Sequence, residues 1–184
     1  MNETERNDTV NLQTHRLWIR ILHAEDWRSL SRIAEDFSNS PYAVYDMPLP
    51  VEESEIKPLC ERFASSGLWF AVLLSGKMIG YICFHEDNGS YDLGYCFHSA
   101  YQGNGYAYES CRAMLAHLAN RRNATVFTAG TALNNLPSCK LLYKLGFVLT
   151  ATEILSFHKD ETGGAISFEG GIFRKEWITK TLDS

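Results

Sequence analysis

The spacing of apolar side chains changes repeatedly along the chain, and each change predicts an element. Leu17 to Ile21, LWIRI, alternates apolar and polar residues and predicts a first strand. Asp26 then caps a predicted helix to about Phe37, with Trp27, Leu30, Ile33, Ala34 and Phe37 at helical spacing. Ser38 to Pro50, SNSPYAVYDMPLP, holds three of the five prolines and predicts a loop. A second helix is expected from about Val51 to Ser65, with Glu52, Glu53 and Glu55 at its positive end and Gly67 beyond the other; Pro58 inside it works against helix. LWFAVLL and MIGYICF, joined by SGK, predict a hairpin, and Asn88-Gly89 predicts the turn of another into YDLGYCF. From Gly105 to about Asn120 the apolar positions Ala107, Cys111, Met114, Leu115 and Leu118 are again helical. TVFTAG is a short strand, NLPSCKLLYKLG a helix ended by Gly146, and FVLTATEILSF and ISFEGGIFRK the last two strands. This order predicts an α+β fold: a mixed, mostly antiparallel twisted sheet of about seven strands with helices on both faces.

A chain of 184 residues suits one domain with a substantial core, assigned to residues 15–184. The opening MNETERNDTVNLQTH lacks the basic and apolar regions of a secretory signal, so residues 1–14 are expected to be a polar, mobile arm. With a net charge of -5 and no basic cluster larger than Arg121-Arg122, the footprint of a nucleic-acid binder is missing. Five widely spaced cysteines without a CxxC argue against both a disulfide framework and a metal site, and place the chain in a reducing cytoplasm. The longest apolar run, Leu68 to Leu74, is far short of the about 20 residues that cross a bilayer, so no membrane role is expected.

The stretch YQGNGYAYES, residues 101–110, puts Gly103 and Gly105 around Asn104 between a strand ending near His98 and a helix. A helix N-terminus exposes about four unpaired N–H groups and carries roughly half a positive charge, and glycines let a phosphate approach them. A plain turn before a helix has the same composition. Two nucleotide motifs are excluded: Ala107 and Tyr108 follow Gly105 where GxGxxG needs its third glycine, and no GxxxxGK with Ser or Thr occurs.

Gln102 to Ala107 reads instead QxxGxA, preceded by LGY on a strand and followed by a helix. In this the chain resembles the GNAT superfamily of N-acetyltransferases, whose acetyl-CoA loop is written Q/R-x-x-G-x-G/A. THRLWIR is similar to the family's first strand, DLGYCFHSAYQGNGYAYE to its fourth strand and phosphate loop, and NNLPSCKLLYKLGF to its late helix. Among its branches, the resemblance is to the ribosomal-protein alanine and serine N-terminal acetyltransferases. It implies acetyl-CoA as co-substrate and a GNAT-like domain in which the fourth and fifth strands splay so that the pantetheine arm lies between them. It puts Phe97 and His98 beside the pantetheine and the amides of Gln102, Gly103, Asn104, Gly105, Tyr106 and Ala107 on the pyrophosphate. His98 has a plain strand-end reading beside that one. Asn135, three residues before Ser138, matches a cofactor-facing asparagine of the family; Asn134 is a competing register, and a helix cap is the alternative role. The tyrosine that protonates the departing thiolate in many relatives corresponds to Leu142, and Tyr143 lies one residue, about 100° of helix, further on. Ser138 occupies the position of a serine proposed as thiol partner in that branch, and is preferred to Tyr143 as the proton donor; a half-buried structural role competes for Tyr143.

An amine attacks a thioester only as the free base, so a proton acceptor is needed. His85, Glu86, Asp87, Asp92 and His98 are near the two strands, and Asp92 lies ten residues before Gln102, where the resembled branch often has a glutamate. Asp92 is expected to act as base, through a bridging water because aspartate is one methylene shorter; a solvated surface carboxylate is the plain alternative. Strand alternation puts Asp92, Gly94, Cys96 and His98 on one face, taken as the substrate side. A backbone N–H near Phe97 or His98 is expected to hold the oxyanion, and no cysteine has a local histidine signature for covalent catalysis. The acceptor pocket is expected from the early helices and the loop with Tyr42, Tyr45, Asp46 and Met47, an aromatic loop that is alternatively a homodimer contact. The function expected is transfer of acetyl from acetyl-CoA to a primary amine in a ternary complex, first of all a protein or peptide N-terminal α-amine. The alternatives are a small amine such as a polyamine or antibiotic, and a non-catalytic acyl-CoA-binding protein suggested by Leu142.

Overall fold

A computed structural model describes residues 10–178. The strands are β1 (Asn11–Gln13), β2 (Trp18–Ile21), β3 (Trp69–Leu74), β4 (Lys77–Asp87), β5 (Ser90–Phe97), β6 (Val126–Ala132), β7 (Val148–Lys159) and β8 (Ala165–Glu176). The helices are α1 (Trp27–Ser38), α2 (Glu53–Ser66), α3 (Tyr106–Arg121) and α4 (Leu136–Lys144). They build one eight-stranded sheet in the order β1-β2-β3-β4-β5-β6-β8-β7. All neighbours are antiparallel except β5 and β6, which run parallel. That exception is what local hairpins cannot produce: β5 and β6 are joined by the α3 crossover, as parallel neighbours require.

The sheet has eight strands rather than about seven because Asn11–Gln13, expected to belong to a mobile arm, pairs with β2, Asn11 opposite Arg20. Val10 is buried and Leu12 packs on the core, so this end of the arm is held by edge pairing that a three-residue segment cannot advertise by alternation. The rest of the expected arm, residues 1–9, lies outside the described residues. Helix α2 runs unbroken through Pro58 because that proline is exposed, and the Ser54 carbonyl it leaves without a donor is on the same solvated turn.

Two cores lie on opposite faces of the sheet. On one, Met114, Leu115 and Leu118 of α3 and Leu142 of α4 pack against Phe84, Phe97, Phe127 and Phe173. On the other, Leu30 and Ile33 of α1 and Ile56 and Cys60 of α2 pack against Ala71 and Met78. Each such side chain removed from water contributes roughly 1.5–3 kcal/mol, which ties the helices to the sheet and sets where their ends point. At the far end, β7 and β8 extend as a long ribbon whose outer part reaches the loop after α1, with Tyr45 edge-on to Phe168 at 5.2 Å.

Candidate active site

Because of the additional first strand, the fourth and fifth strands of the sequence reading are β5 and β6. Their ladder consists of Ser90 with Val126, Tyr91 with Phe127 and Asp92 with Thr128, and then stops. Leu93–Phe97 and Ala129–Ala132 continue without pairing to one another, which opens the sheet into a cleft. Which backbone groups face the cleft follows from the register with β4. The His98 N–H donates to the Ile79 carbonyl at 3.0 Å, and the Phe97–Gly80 register makes 98 and 79 a bonded pair. Bonded and non-bonded pairs alternate, so Phe97, Tyr95 and Leu93 turn their N–H and C=O groups away from β4 and into the cleft. Of the two amides expected to face a cofactor, Phe97 is available and His98 is already committed to the sheet.

The His98 side chain is also turned elsewhere. Its Nδ1 lies 3.5 Å from Asp36 on α1 and accepts from the Ala100 amide at 3.3 Å, while Asp36 also accepts from the Ser99 amide and hydroxyl. This cluster ties the end of β5 to α1, a positioning role. The Phe97 ring is buried on the α3 face and fills the space over Gly80, where a Cβ would meet it at 2.4 Å.

Between β5 and α3 the chain makes a 3-10 turn at Ser99–Tyr101 and then the glycine loop. Gln102 shapes the loop: its amide donates to Ser99 and its side-chain nitrogen donates to the Phe97 carbonyl at 2.8 Å. Gly103 and Gly105 have φ of 77° and 79°, left-handed values that side chains resist, and Gly105 caps α3 without any side-chain cap. Among the hydrogen bonds of the described residues, the amides of Gly103, Asn104, Gly105, Tyr106, Ala107 and Tyr108 donate to no protein atom. A Cβ at Gly103 would meet nothing within 4 Å, so the approach is open. Six adjacent free donors at the positive end of a 16-residue helix are a fit for a pyrophosphate.

A latch that the sequence reading missed holds this loop. Arg16 donates to the Asn104 carbonyl at 3.0 Å and to Glu109 at 2.7 Å, lies 4.5 Å over the Tyr106 ring, and offers its own amide to Glu109. Thr14 donates to the same carboxylate at 2.6 Å. Partial burial works against ionisation of Glu109, but the Thr14 hydroxyl and the Arg16 amide and guanidinium together hold its carboxyl below the ordinary range. From the loop, a groove of about 610 Å³ continues along α3 past His15, Arg16, Arg112 and Lys144. Its positive lining suits an anion.

Across the cleft, Asn135 caps α4 by accepting from the Ser138 amide at 3.3 Å, so the capping role holds and Asn134 is exposed. The Ser138 hydroxyl is 2.8 Å from the Tyr95 hydroxyl, a contact that spans the cleft and that strand alternation alone had placed on the far side from the substrate. Burial pushes the Tyr95 phenol above its ordinary range, against the hydrogen bond from Ser138. Leu142, one turn after Ser138, is fully buried; Tyr143 is turned from that face, 53% exposed, with its ring edge-on to Phe173 of β8 at 5.4 Å.

On the opposite face of β5, Asp92 is exposed and accepts from the Thr128 hydroxyl at 2.7 Å, at the closed end of the cleft. Cys83 and Cys96 flank Gly94 on this face, and burial pushes both thiols up to about 12. Cys60 is pushed up to about 11, also by burial. Neutral thiols of this kind are poor nucleophiles. Among the described residues, no group of three or more His, Cys, Asp or Glu is placed to hold a metal, and no helix is long and apolar enough to cross a membrane.

A cleft between parallel neighbours in a mostly antiparallel sheet, with a free-amide loop at its open end, is the architecture of an acyl-CoA-dependent acetyltransferase. Residues 16–148 match the acetyltransferase (GNAT) domain family, and the chain belongs to that family. It is an N-acetyltransferase that depends on acetyl-CoA. It is 27% identical over 143 residues to the uncharacterized N-acetyltransferase YnaD of Bacillus subtilis (strain 168), covering 74% of this chain and 82% of that protein. The fold is shared with RimL, a ribosomal L7/L12 α-N-protein acetyltransferase, at a TM-score of 0.78 and 15% identity over 92% of this chain and 95% of that one. It is also shared with the ribosomal-protein-S5-alanine acetyltransferase of Vibrio fischeri, at 0.73 and 18% over 91% and 96%. RimL has been solved in complex with coenzyme A.

Proposed function

We propose that this enzyme acetylates the α-amine of a protein or peptide N-terminus by direct attack within a ternary complex. The observation that carries the reading is the pairing of an open, donor-lined cleft with a separate carboxylate-bearing face on the other side of β5. The amides of Gly103 to Ala107 bind the pyrophosphate, and the cleft-facing groups of Leu93 and Tyr95 pair with the pantetheine as an added strand. Asn135, through its side-chain nitrogen, contributes on the α4 side. Bound acetyl-CoA supplies the activated acetyl group.

Asp92 takes the proton from the acceptor ammonium, directly or through one water, and Thr128 holds the carboxylate in place. The free amine nitrogen bonds to the acetyl carbon, the carbon–sulfur bond breaks, the nitrogen releases its second proton to water, and Ser138 gives its proton to the departing sulfur. Tyr95, hydrogen-bonded to Ser138, replaces that proton and regains its own from water. The Phe97 N–H is aimed to hold the carbonyl oxygen as negative charge builds on it. Tyr143, turned toward Phe173, is left with a structural role. A thiol-linked intermediate is disfavoured by the elevated pKa of Cys83 and Cys96.

The structural neighbours that act on ribosomal-protein N-termini favour a protein acceptor over a polyamine or an antibiotic. The five free cysteines support a reducing, cytoplasmic location. Thiol release measured on peptides starting with Ser or Ala, against a panel of small amines, tests the reading. Turnover of small amines alone would overturn the N-terminal assignment.

A further inference from the structure

Between α1 and the sheet, a cavity of about 40 Å³ is bounded by Ala34 and Phe37 of α1, Asp46 and Leu49 of the following loop, and Tyr81 and Cys96 of the strands. It has room for about three water-sized groups. Asp46 reaches it from a loop made rigid on three sides. A 3-10 turn at Ala43–Tyr45 precedes it, Tyr45 packs on Phe168, and His158 of β7 bonds its carbonyl at 2.8 Å.

Asp46 is an exposed residue at the rim of this cavity, which it lines together with Tyr81 and Cys96. It perturbs the ionisation of Tyr81, Cys83 and Cys96 together, and burial raises its own affinity for a proton. One oxygen accepts from the Met47 amide at 2.7 Å; among the described residues the other has no hydrogen-bond or ion-pair partner. The groups around it are phenol, thiol and hydrocarbon. A second carboxylate, Asp36, acts on Cys96 from α1, and His158 is the basic side chain that bears on Asp46. A carboxylate oxygen without a protein partner at the rim of a small pocket suits a cation that arrives with its own hydrogen-bond donors.

We infer that Asp46 is the acceptor-recognition residue: its free carboxylate oxygen holds the ammonium of the incoming amine over Cys96 and Gly94. Asp46 shares its cavity with Cys96, which lies on the same face of β5 as Gly94 and Asp92, so the two carboxylates serve one face, one drawing the amine in and one at the closed end of the cleft. Asp46 is thus a specificity residue for cationic primary amines, and the inference rests on the reading that the acceptor approaches from the Asp92 face.

The test is steady-state kinetics of Asp46→Asn and Asp46→Glu with Ser- and Ala-starting pentapeptides, propylamine and spermidine. For every amine the wild type accepts, Asp46→Asn raises the amine KM at least about tenfold while the acetyl-CoA KM stays within about twofold. Asp46→Glu recovers most of the loss, which a merely structural loop residue would not produce. An amine KM in Asp46→Asn within about twofold of wild type overturns the inference. Activity on propylamine and spermidine alone overturns the peptide reading, and Asp46 is then judged on those two amines.

Discussion

The two sides of β5 are built in different ways. On the proposed cofactor side the donors come from one continuous stretch, Gly103 to Tyr108, joined through one short turn to the strand that lines the cleft. On the proposed acceptor side Asp46, His158 and the β5 residues Asp92 and Cys96 come from three separate segments brought together by the sheet and its ribbon. A phosphate is met by backbone amides, which any local sequence with the right φ values can supply; an amine is met by individual side chains, which need a tertiary scaffold. The comparison predicts that changes on the cofactor side alter binding of CoA, whereas changes on the acceptor side alter turnover or the amine KM with CoA binding intact.

The largest separation is expected for Asp92→Asn, with kcat lowered about 10² to 10³-fold and the dissociation constant of acetyl-CoA unchanged by calorimetry. A matching loss of CoA affinity would erase the division. Next, Gly105→Val forces a β-branched residue into a left-handed position at the cradle, and CoA affinity is expected to fall about 100-fold, with the thermal midpoint lowered by several degrees because the strain costs about 1–3 kcal/mol. Unchanged affinity would remove Gly105 from the cofactor site. Ser138→Ala is expected to lower kcat roughly tenfold, and adding Tyr95→Phe to cost little more, because residues that hand on one proton are not additive. Additive losses would separate them.

The smallest effect concerns the latch. Glu109→Gln should destabilise the fold by about 1 kcal/mol at neutral pH, since the ion pair with Arg16 is partly solvated. Because the Glu109 carboxyl is held below its ordinary range when folded, its contribution is complete above that range and is lost as pH falls through the depressed value. Urea titrations at neutral and acid pH should therefore show the variant and wild type converging in acid. A difference that persists there would assign the effect to packing.

How much of this was readable in advance follows the same division. Helices α1 and α3, the hairpins around Gly76 and Gly89, and the loop QGNGYA were legible because period and turn chemistry are local signals. Strand β1 was not, since three residues contain no period, and its pairing with β2 supplies the order. Tyr95 shows the limit of alternation: the pattern assigned its side of the strand, but its bond to Ser138 depends on where α4 is packed. His98 was assigned to the cofactor by its place in the motif, yet the register with Ile79 takes its amide and Asp36 takes its ring.

The order of the residues was enough to specify the glycine loop proposed for the cofactor, because its donors are main-chain groups whose direction follows from glycine φ values and a helix start. Tertiary packing alone decided the cleft and the acceptor face. Where β5 and β6 part depends on a crossover pairing, and Asp46 and Cys96 line one cavity because contacts from β7 and β8 hold the Asp46 loop in place. Contacts between segments more than a hundred residues apart have no local period to announce them.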